Sequence, residues 1–198
     1  LSSAEIYGEA DKHHIPTNES YFGNVNTLTD RAIYAESKRL AETICYLFSK
    51  KVKIKIARAL IAYGPGVKYD DKRVISEFTK KAQENVEITM MDEGLAQRTF
   101  CFITDITEML LNILLSGEEI VYNVCGKDTT TIKNLAELIA KINRAKFNYK
   151  FEERAVKGTP LVLTLDNSRY LSEFKKKSFI SLNEGLITTS EWFRNLKQ

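Results

Sequence analysis

Two short runs of the chain carry residue types that can move protons. Tyr34-Ala-Glu-Ser-Lys38 places a phenol and an ammonium four residues apart, on one face of any helix that contains them. A free phenol ionises near pH ~10, too high for a base at neutral pH. An ammonium a few ångströms away favours the phenolate, so such a pair can take a proton from an alcohol. Alone the spacing is a weak signal, because any helix surface produces it. The second run, Leu1-Ser-Ser-Ala-Glu-Ile-Tyr-Gly8, sets small hydroxyl residues and a carboxylate ahead of a glycine. Ser3 can hydrogen-bond a substrate hydroxyl, and Glu5 can act as a general acid or base. A polar turn with a helix cap would use the same residues. If the run ends a strand, it lies where α/β proteins collect their ligands.

The elements that must position these groups are readable from periodicity. Residues 31–50 repeat apolar positions with helical spacing and strong helix formers. Val52 to Ala59 alternates apolar residues with lysines, which predicts a strand. Residues 9–30 are polar and predict a loop; within it, His13 and His14 lack the spacing of helical metal ligands. Further on, Arg73 to Ala82 predicts a helix, and Val86–Met90 and Thr99–Ile103 predict strands. A helix capped by Thr104 or Asp105 runs through Leu115, followed by a strand over Ile120–Val124. Thr130 or Thr131 caps a helix through Ile142, and Phe147–Phe151 predicts a short strand. Ser181-Leu-Asn-Glu184 is a capping box opening a last helix with Leu182, Leu186, Trp192, Phe193 and Leu196 inward. Alternating strands and helices give an α/β class, with a smaller α+β lobe laid against a parallel sheet.

Composition removes several functions. The net charge is +3, from 29 basic and 26 acidic residues, with no basic stripe interleaved with aromatics, so nucleic acid is not expected as a partner. Lys175-Lys176-Lys177 is expected to be a solvated surface run. Three widely spaced cysteines, Cys45, Cys101 and Cys125, form no zinc pair and no disulfide framework. Reduced, mostly buried thiols in a cytoplasmic protein are the simplest expectation, with no metal. No apolar run reaches the ~18 residues of a membrane span, and no signal peptide is seen.

Taken in order, the motifs resemble the extended short-chain dehydrogenase/reductase family that acts on nucleotide sugars. Ser-Ser-Ala-Glu-Ile-Tyr-Gly8 and Tyr34-x-x-x-Lys38 carry the resemblance first. Arg58-Ala-Leu-Ile-Ala-Tyr-Gly-Pro65, Asp71-Lys-Arg-Val-Ile-Ser-Glu-Phe78, Gln97-Arg-Thr-Phe-Cys-Phe-Ile-Thr-Asp105 and Tyr122-Asn-Val-Cys-Gly126 follow in the family's order. Gly23-Asn-Val-Asn26 with Arg31-Ala-Ile-Tyr34-Ala-Glu-Ser-Lys38-Arg39 is especially similar to UDP-glucuronate decarboxylases.

The resemblance implies NAD as cofactor, a nucleotide sugar, UDP-linked, as substrate, and a homodimer paired through the helix of residues 31–50. It implies that Tyr34 is the base, that Lys38 also binds the nicotinamide ribose, and that Ser3 and Glu5 assist. It places Asn24, Arg73 and Arg98 against the substrate, with Arg98 where the family holds the diphosphate. Residues 1–64 and 116–145 would be the remainder of a Rossmann-like NAD-binding domain. Residues 65–115 and 146–198 would be the nucleotide-sugar lobe.

The sequence departs from the family's pattern at identifiable places. Ala4 stands where dehydratases carry Asp, which counts against 4,6-dehydration, and Ile61 stands where many relatives have Asn. Leu161-Val-Leu-Thr-Leu165 replaces a segment that often holds a basic residue near the substrate. No Gly-x-x-Gly-x-x-Gly turn occurs in the sequence, so the chain is expected to be the C-terminal part of such an enzyme, binding NAD weakly or not at all by itself. The other expectation is a truncated, non-catalytic homologue that keeps only sugar-nucleotide binding or dimerisation. The gene sequence upstream of Leu1 separates the two.

Overall fold

A computed structural model describes residues 1–90, 92–146, 149–151 and 160–196. In chain order the elements are β1 (Ser2–Ser3), a 3-10 turn (Ala4–Tyr7), a second 3-10 turn (Lys12–His14) and α1 (Ala32–Phe48). Then come β2 (Ile56–Ala59), β3 (Ile61–Tyr63), α2 (Val74–Gln83), β4 (Ile88–Met90), β5 (Gln97–Phe102), α3 (Ile103–Ser116) and β6 (Val121–Val124). β7 (Thr129–Thr131), α4 (Ile132–Asn143), β8 (Tyr149–Phe151), β9 (Val162–Leu163), α5 (Ser168–Phe174) and α6 (Leu182–Leu196) complete the chain. The class is α/β, as the alternation predicts.

β1, β2 and β6 form a parallel sheet with β2 central, registered Ser2 to Arg58 and Arg58 to Asn123. Successive side chains on a strand point to opposite faces, and the two faces of β2 are treated differently. Arg58 faces α1, where its guanidinium meets Glu42. Ala57 faces the other way, into a core with Ile106, Met109 and Ile113 of α3 and Tyr170 of α5. The sheet is therefore sandwiched, with α1 on one face and α3 and α5 on the other.

A second core lies between α2, α4 and α6, built from Ile75, Phe78, Leu135, Ile139, Leu182 and Leu186 with Phe100 and Phe102 of β5. Burying each large apolar side chain contributes about 1.5–3 kcal/mol. The sequence grouped residues 116–145 with the sheet; within that stretch β6 pairs into it, whereas α4 shares the core of α2 and α6. β5 joins the parts: β9 pairs in parallel with its first half, β3 with its second, and β7 antiparallel on the other side.

Several expectations need correcting. The strand expected from Val52 begins only at Ile56, where its pairing partner β6 begins at Val121; the side chain of Lys55 donates to the carbonyls of Glu118 and Glu119. Neither Thr104 nor Asp105 caps α3, which has no side-chain cap; Asp105 instead accepts from the amide of Ile180 at 2.8 Å. Leu196 is exposed and not inward, and Trp192 is half-buried with its indole N–H donating to Val67. Lys176 is no solvated surface residue: its side chain is 7% exposed and pairs with Asp105 and Glu108 at 2.9 and 2.7 Å. Thr131 does cap α4, and Ser181 with Glu184 forms the expected capping box. Of the strand expected over 147–151, residues 147 and 148 lie outside the described residues.

Candidate active site

The site is assembled where β1 ends. Ser3 closes the strand, and its Oγ accepts from the amide of Glu5 at 3.2 Å, starting the 3-10 turn that carries Glu5. Gly8 ends that turn at φ 60°, and a Cβ there would stand 2.0 Å from the carbonyl oxygen of Asn24. Only glycine combines that left-handed backbone with so close an approach. The approach pairs Gly8 with Asn24, whose amide donates to Tyr7 O at 2.8 Å while Glu9 donates back to Asn24 O at 3.0 Å. The polar loop of residues 9–30 is thereby fastened to the Ala4–Tyr7 turn.

α1 supplies the phenol and the ammonium. Lys38 Nζ lies 5.8 Å from the centre of the Tyr34 ring and donates to Leu1 O at 3.1 Å, beside Ser2 and Ser3. Tyr34 is half-exposed, at 50%, and so open to a ligand. Arg39, the next residue along, donates to Ile6 O at 3.1 Å and Phe22 O at 2.7 Å, tying α1 to both the turn and the loop.

Between loop and helix opens a cleft of about 760 Å³, bordered by Glu5, Asn24, Asn26, Thr29 and Arg31 among others. A pocket of that size takes a ligand larger than a monosaccharide. Arg31 was not among the residues singled out from the sequence. It stands at the start of α1 and its Nη2 donates to Glu5 Oε1 at 2.5 Å. Its spacing of three from Tyr34 was the available signal.

The remaining sequence candidates divide. Glu5 and Asn24 border the cleft, whereas Ser3, Tyr34 and Lys38 are not among its lining residues: Tyr34 and Lys38 meet on α1, and Lys38 reaches Leu1 beside Ser3. Arg98 is buried and donates to the carbonyls of Gln97, Leu161 and Pro160. It lies behind the cleft wall, not on it; burial pulls its pKa down, Glu5 pushes it back up and Arg31 lowers it further. Arg73 lies elsewhere, ion-paired with Asp71 at 3.0 Å beside a small pocket lined by Tyr63, Gly64, Val67 and Thr189. Cys101 and Cys125 are buried, and burial pushes the Cys101 thiol up to about 12 and Cys125 up as well, so neither is a nucleophile at neutral pH. Among the described residues no cluster of His, Cys, Asp or Glu could hold a metal, and no helix is long and apolar enough to cross a membrane.

A cleft beyond the carboxyl end of a parallel strand, next to a helix bearing a Tyr–Lys pair, is the architecture of α/β proteins that collect their ligands at strand ends. The chain belongs to the NAD dependent epimerase/dehydratase family, whose profile matches residues 1–125. It is 31% identical over 195 residues to UDP-glucuronic acid decarboxylase 6 of Arabidopsis thaliana, covering 98% of this chain and 56% of that protein. The chain thus spans about half the length of that relative. The UDP-glucuronic acid 4-epimerase of Bacillus cereus, solved with UDP-glucuronic acid and NAD, superposes with a TM-score of 0.86 at 22% identity, over 98% of this chain and 60% of its own. The UDP-glucose 4-epimerase of Thermotoga maritima, solved with UDP-glucose, gives 0.85 at 23% identity, over 100% and 63%. At such identities these structures establish the fold.

The family's cofactor is NAD. Of the residues for which the sequence expects a nicotinamide ribose, Tyr34 is half-exposed and Lys38 stands beside its ring and donates to Leu1 O. The sequence offers no Gly-x-x-Gly-x-x-Gly turn for the diphosphate.

Proposed function

We propose that this chain forms the substrate-handling part of an NAD-dependent enzyme that modifies a nucleotide sugar through a 4-keto intermediate, either as a UDP-glucuronate decarboxylase or as an epimerase. The observation that carries the reading is the Tyr34–Lys38 pair, anchored through Leu1 to the strand that ends at Ser3, ahead of the turn that carries Glu5. The 31% identity to a UDP-glucuronic acid decarboxylase supports this choice of substrate class.

In this reading Tyr34 takes the proton of the sugar 4-hydroxyl, and Lys38 stabilises the phenolate that results. Ser3 orients that hydroxyl, Glu5 assists proton transfer, and Asn24 helps to close the cleft over the sugar. NAD, when bound, accepts the hydride from C4 and returns it. With a ketone at C4, a carboxylate at C5 belongs to a β-keto acid: its C–C bond breaks, carbon dioxide leaves, and the electron pair passes to the enolate, which is then protonated. For a sugar that keeps its C5 substituent, rotation of the ketone and return of hydride to the other face give the 4-epimer. Arg98 supports the cleft wall from behind, and Arg73 serves the lobe away from the reacting carbon. Pairing through the outer face of α1 makes the assembly a homodimer.

The test uses the protein expressed from its full reading frame, with NAD and either UDP-glucuronate or UDP-glucose, and products read by NMR. Tyr34→Phe is expected to lower kcat by about 10²–10⁴-fold, the usual worth of a general base. Turnover that survives in Tyr34→Phe overturns the assignment.

A further inference from the structure

The cleft wall has an uneven charge. Three carboxylates border it, Glu5, Glu9 and Asp30, and Arg31 is the sole cation among its lining residues. An anionic substituent on a ligand is repelled along most of that wall and has one favourable place to settle. Arg31 is built to receive it. A guanidinium presents its N–H donors as a fork, and the edge made by Nε and one Nη matches the two oxygens of a carboxylate. Here Glu5 occupies only Nη2, at 2.5 Å. Nε is buried and has no acceptor among the described residues. A buried donor without a partner is costly, and an acceptor delivered by the ligand relieves that cost.

The position of the fork also bears on chemistry. Arg31 lies three residues before Tyr34 and one before Ala32, at the root of α1, and Ala32 and Ala35 border the same cleft. A carboxylate that meets the Arg31 guanidinium, whose side chain is 40% exposed, is therefore held at the start of the helix that carries Tyr34, although Tyr34 itself is not among the residues lining the cleft. Arg98 is fixed behind by the carbonyls of Pro160 and Leu161 and contributes positive potential without entering the cleft. The apolar run Leu161-Val-Leu-Thr-Leu165 brings no basic side chain of its own.

We propose that Arg31 is a specificity-determining residue that binds a carboxylate carried by the sugar, so that the cleft prefers a uronate to a neutral hexose. This rests on the nucleotide-sugar reading of the same cleft. The 198-residue chain is titrated by calorimetry with UDP, UDP-glucose and UDP-glucuronate, as wild type, Arg31→Gln and Arg31→Lys, with thermal unfolding as the check on folding. The wild-type chain is expected to bind UDP-glucuronate about tenfold more tightly than UDP-glucose, the low end of a charge-assisted hydrogen bond. Arg31→Gln brings that ratio to about one and leaves UDP unchanged; Arg31→Lys, with a point charge and no fork, keeps part of it. A wild-type ratio near one, or a ratio unchanged in Arg31→Gln, overturns the role of Arg31 while the cleft remains a nucleotide-sugar site. Absence of saturable binding for all three ligands overturns the nucleotide-sugar reading itself, and this inference with it.

Discussion

At the scale of single residues, Arg58 holds the site's parts together without touching the cleft. Its Nε and Nη2 reach Glu42 of α1 at 2.7–3.3 Å, and its Nη1 reaches Tyr7 Oη at 2.9 Å and Glu19 O at 3.0 Å. Its guanidinium also lies 5.0 Å from the centre of the Tyr7 ring. Burial alone would depress the Arg58 pKa, but Glu42 and Tyr7 outweigh it and the net shift is upward. Tyr7, pushed up to about 12 chiefly by burial, stays a neutral donor to Asn123 Oδ1. Because Glu42 lies one turn beyond Lys38 and Tyr7 ends the turn bearing Glu5, this one guanidinium sets the distance between the two halves of the site. Both partners of the Arg58–Glu42 pair are 12% exposed. Removing one leaves a buried charge uncompensated, so Arg58→Met is expected to cost about 3–5 kcal/mol, while Arg58→Met with Glu42→Leu recovers much of it. Urea denaturation of the two single variants and the double variant measures the coupling; strictly additive losses would show that the pair is not a unit. Gly8→Ala is expected to cost about 1–3 kcal/mol, because φ 60° and the Asn24 carbonyl both oppose a Cβ. A thermal midpoint equal to that of wild type would mean that the loop gives way freely.

Among the elements, α6 shows what a sequence can announce. Glu184 Oε2 accepts from the amide and hydroxyl of Ser181 at 3.1 and 2.7 Å, and Ser181 Oγ accepts from Glu184 N at 3.3 Å. These bonds to Ser181 hold the Glu184 carboxyl below its usual range. A depressed folded-state pKa gives stability that is present above the unfolded value near ~4.3 and lost as pH falls through the folded one. Ser181→Ala is thus expected to lower the thermal midpoint by about 2–4 °C at neutral pH and to flatten the acid limb of the stability curve. A midpoint shift that persists unchanged below pH 3 would disconnect the cap from Glu184. The box was legible because its partners are three residues apart, as was the Tyr34–Lys38 pair at four. Lys176 was misread because Asp105 and Glu108, which bury it, come from α3, about seventy positions away. β7 and β9 are three and two residues long, too short for periodicity, and exist as strands because β5 offers them an edge. Arg31 escaped for the same reason as Lys176: its partner Glu5 is distant in sequence, and only the folded turn brings them together.

The whole molecule presents large apolar side chains where a finished surface would not. α1 buries only Ala32 and Ala35 and exposes Ile33, Leu40, Ile44 and Leu47, with Ile33 at 81%. Ile33, Leu40 and Leu47 recur every seven residues, the period of a seam between packed helices. On the opposite face of the sheet α3 exposes Leu111, Leu114 and Leu115. Contiguous apolar stripes of this kind mark contact surfaces. A two-fold axis lets a stripe pair with its own copy, and the regular seam on α1 suits that better than the shorter cluster on α3. Leu40→Glu with Leu47→Glu is therefore expected to turn a sedimenting dimer into a monomer, with the unfolding free energy changed by about 0.5 kcal/mol or less because both positions are exposed in the single chain. Leu114→Glu, an equal charge on the other stripe, should leave the dimer intact. A monomeric wild type at tens of micromolar would remove the dimer altogether, whereas dissociation by Leu114→Glu and not by the α1 pair would move the interface off α1, the helix that carries Tyr34 and Lys38.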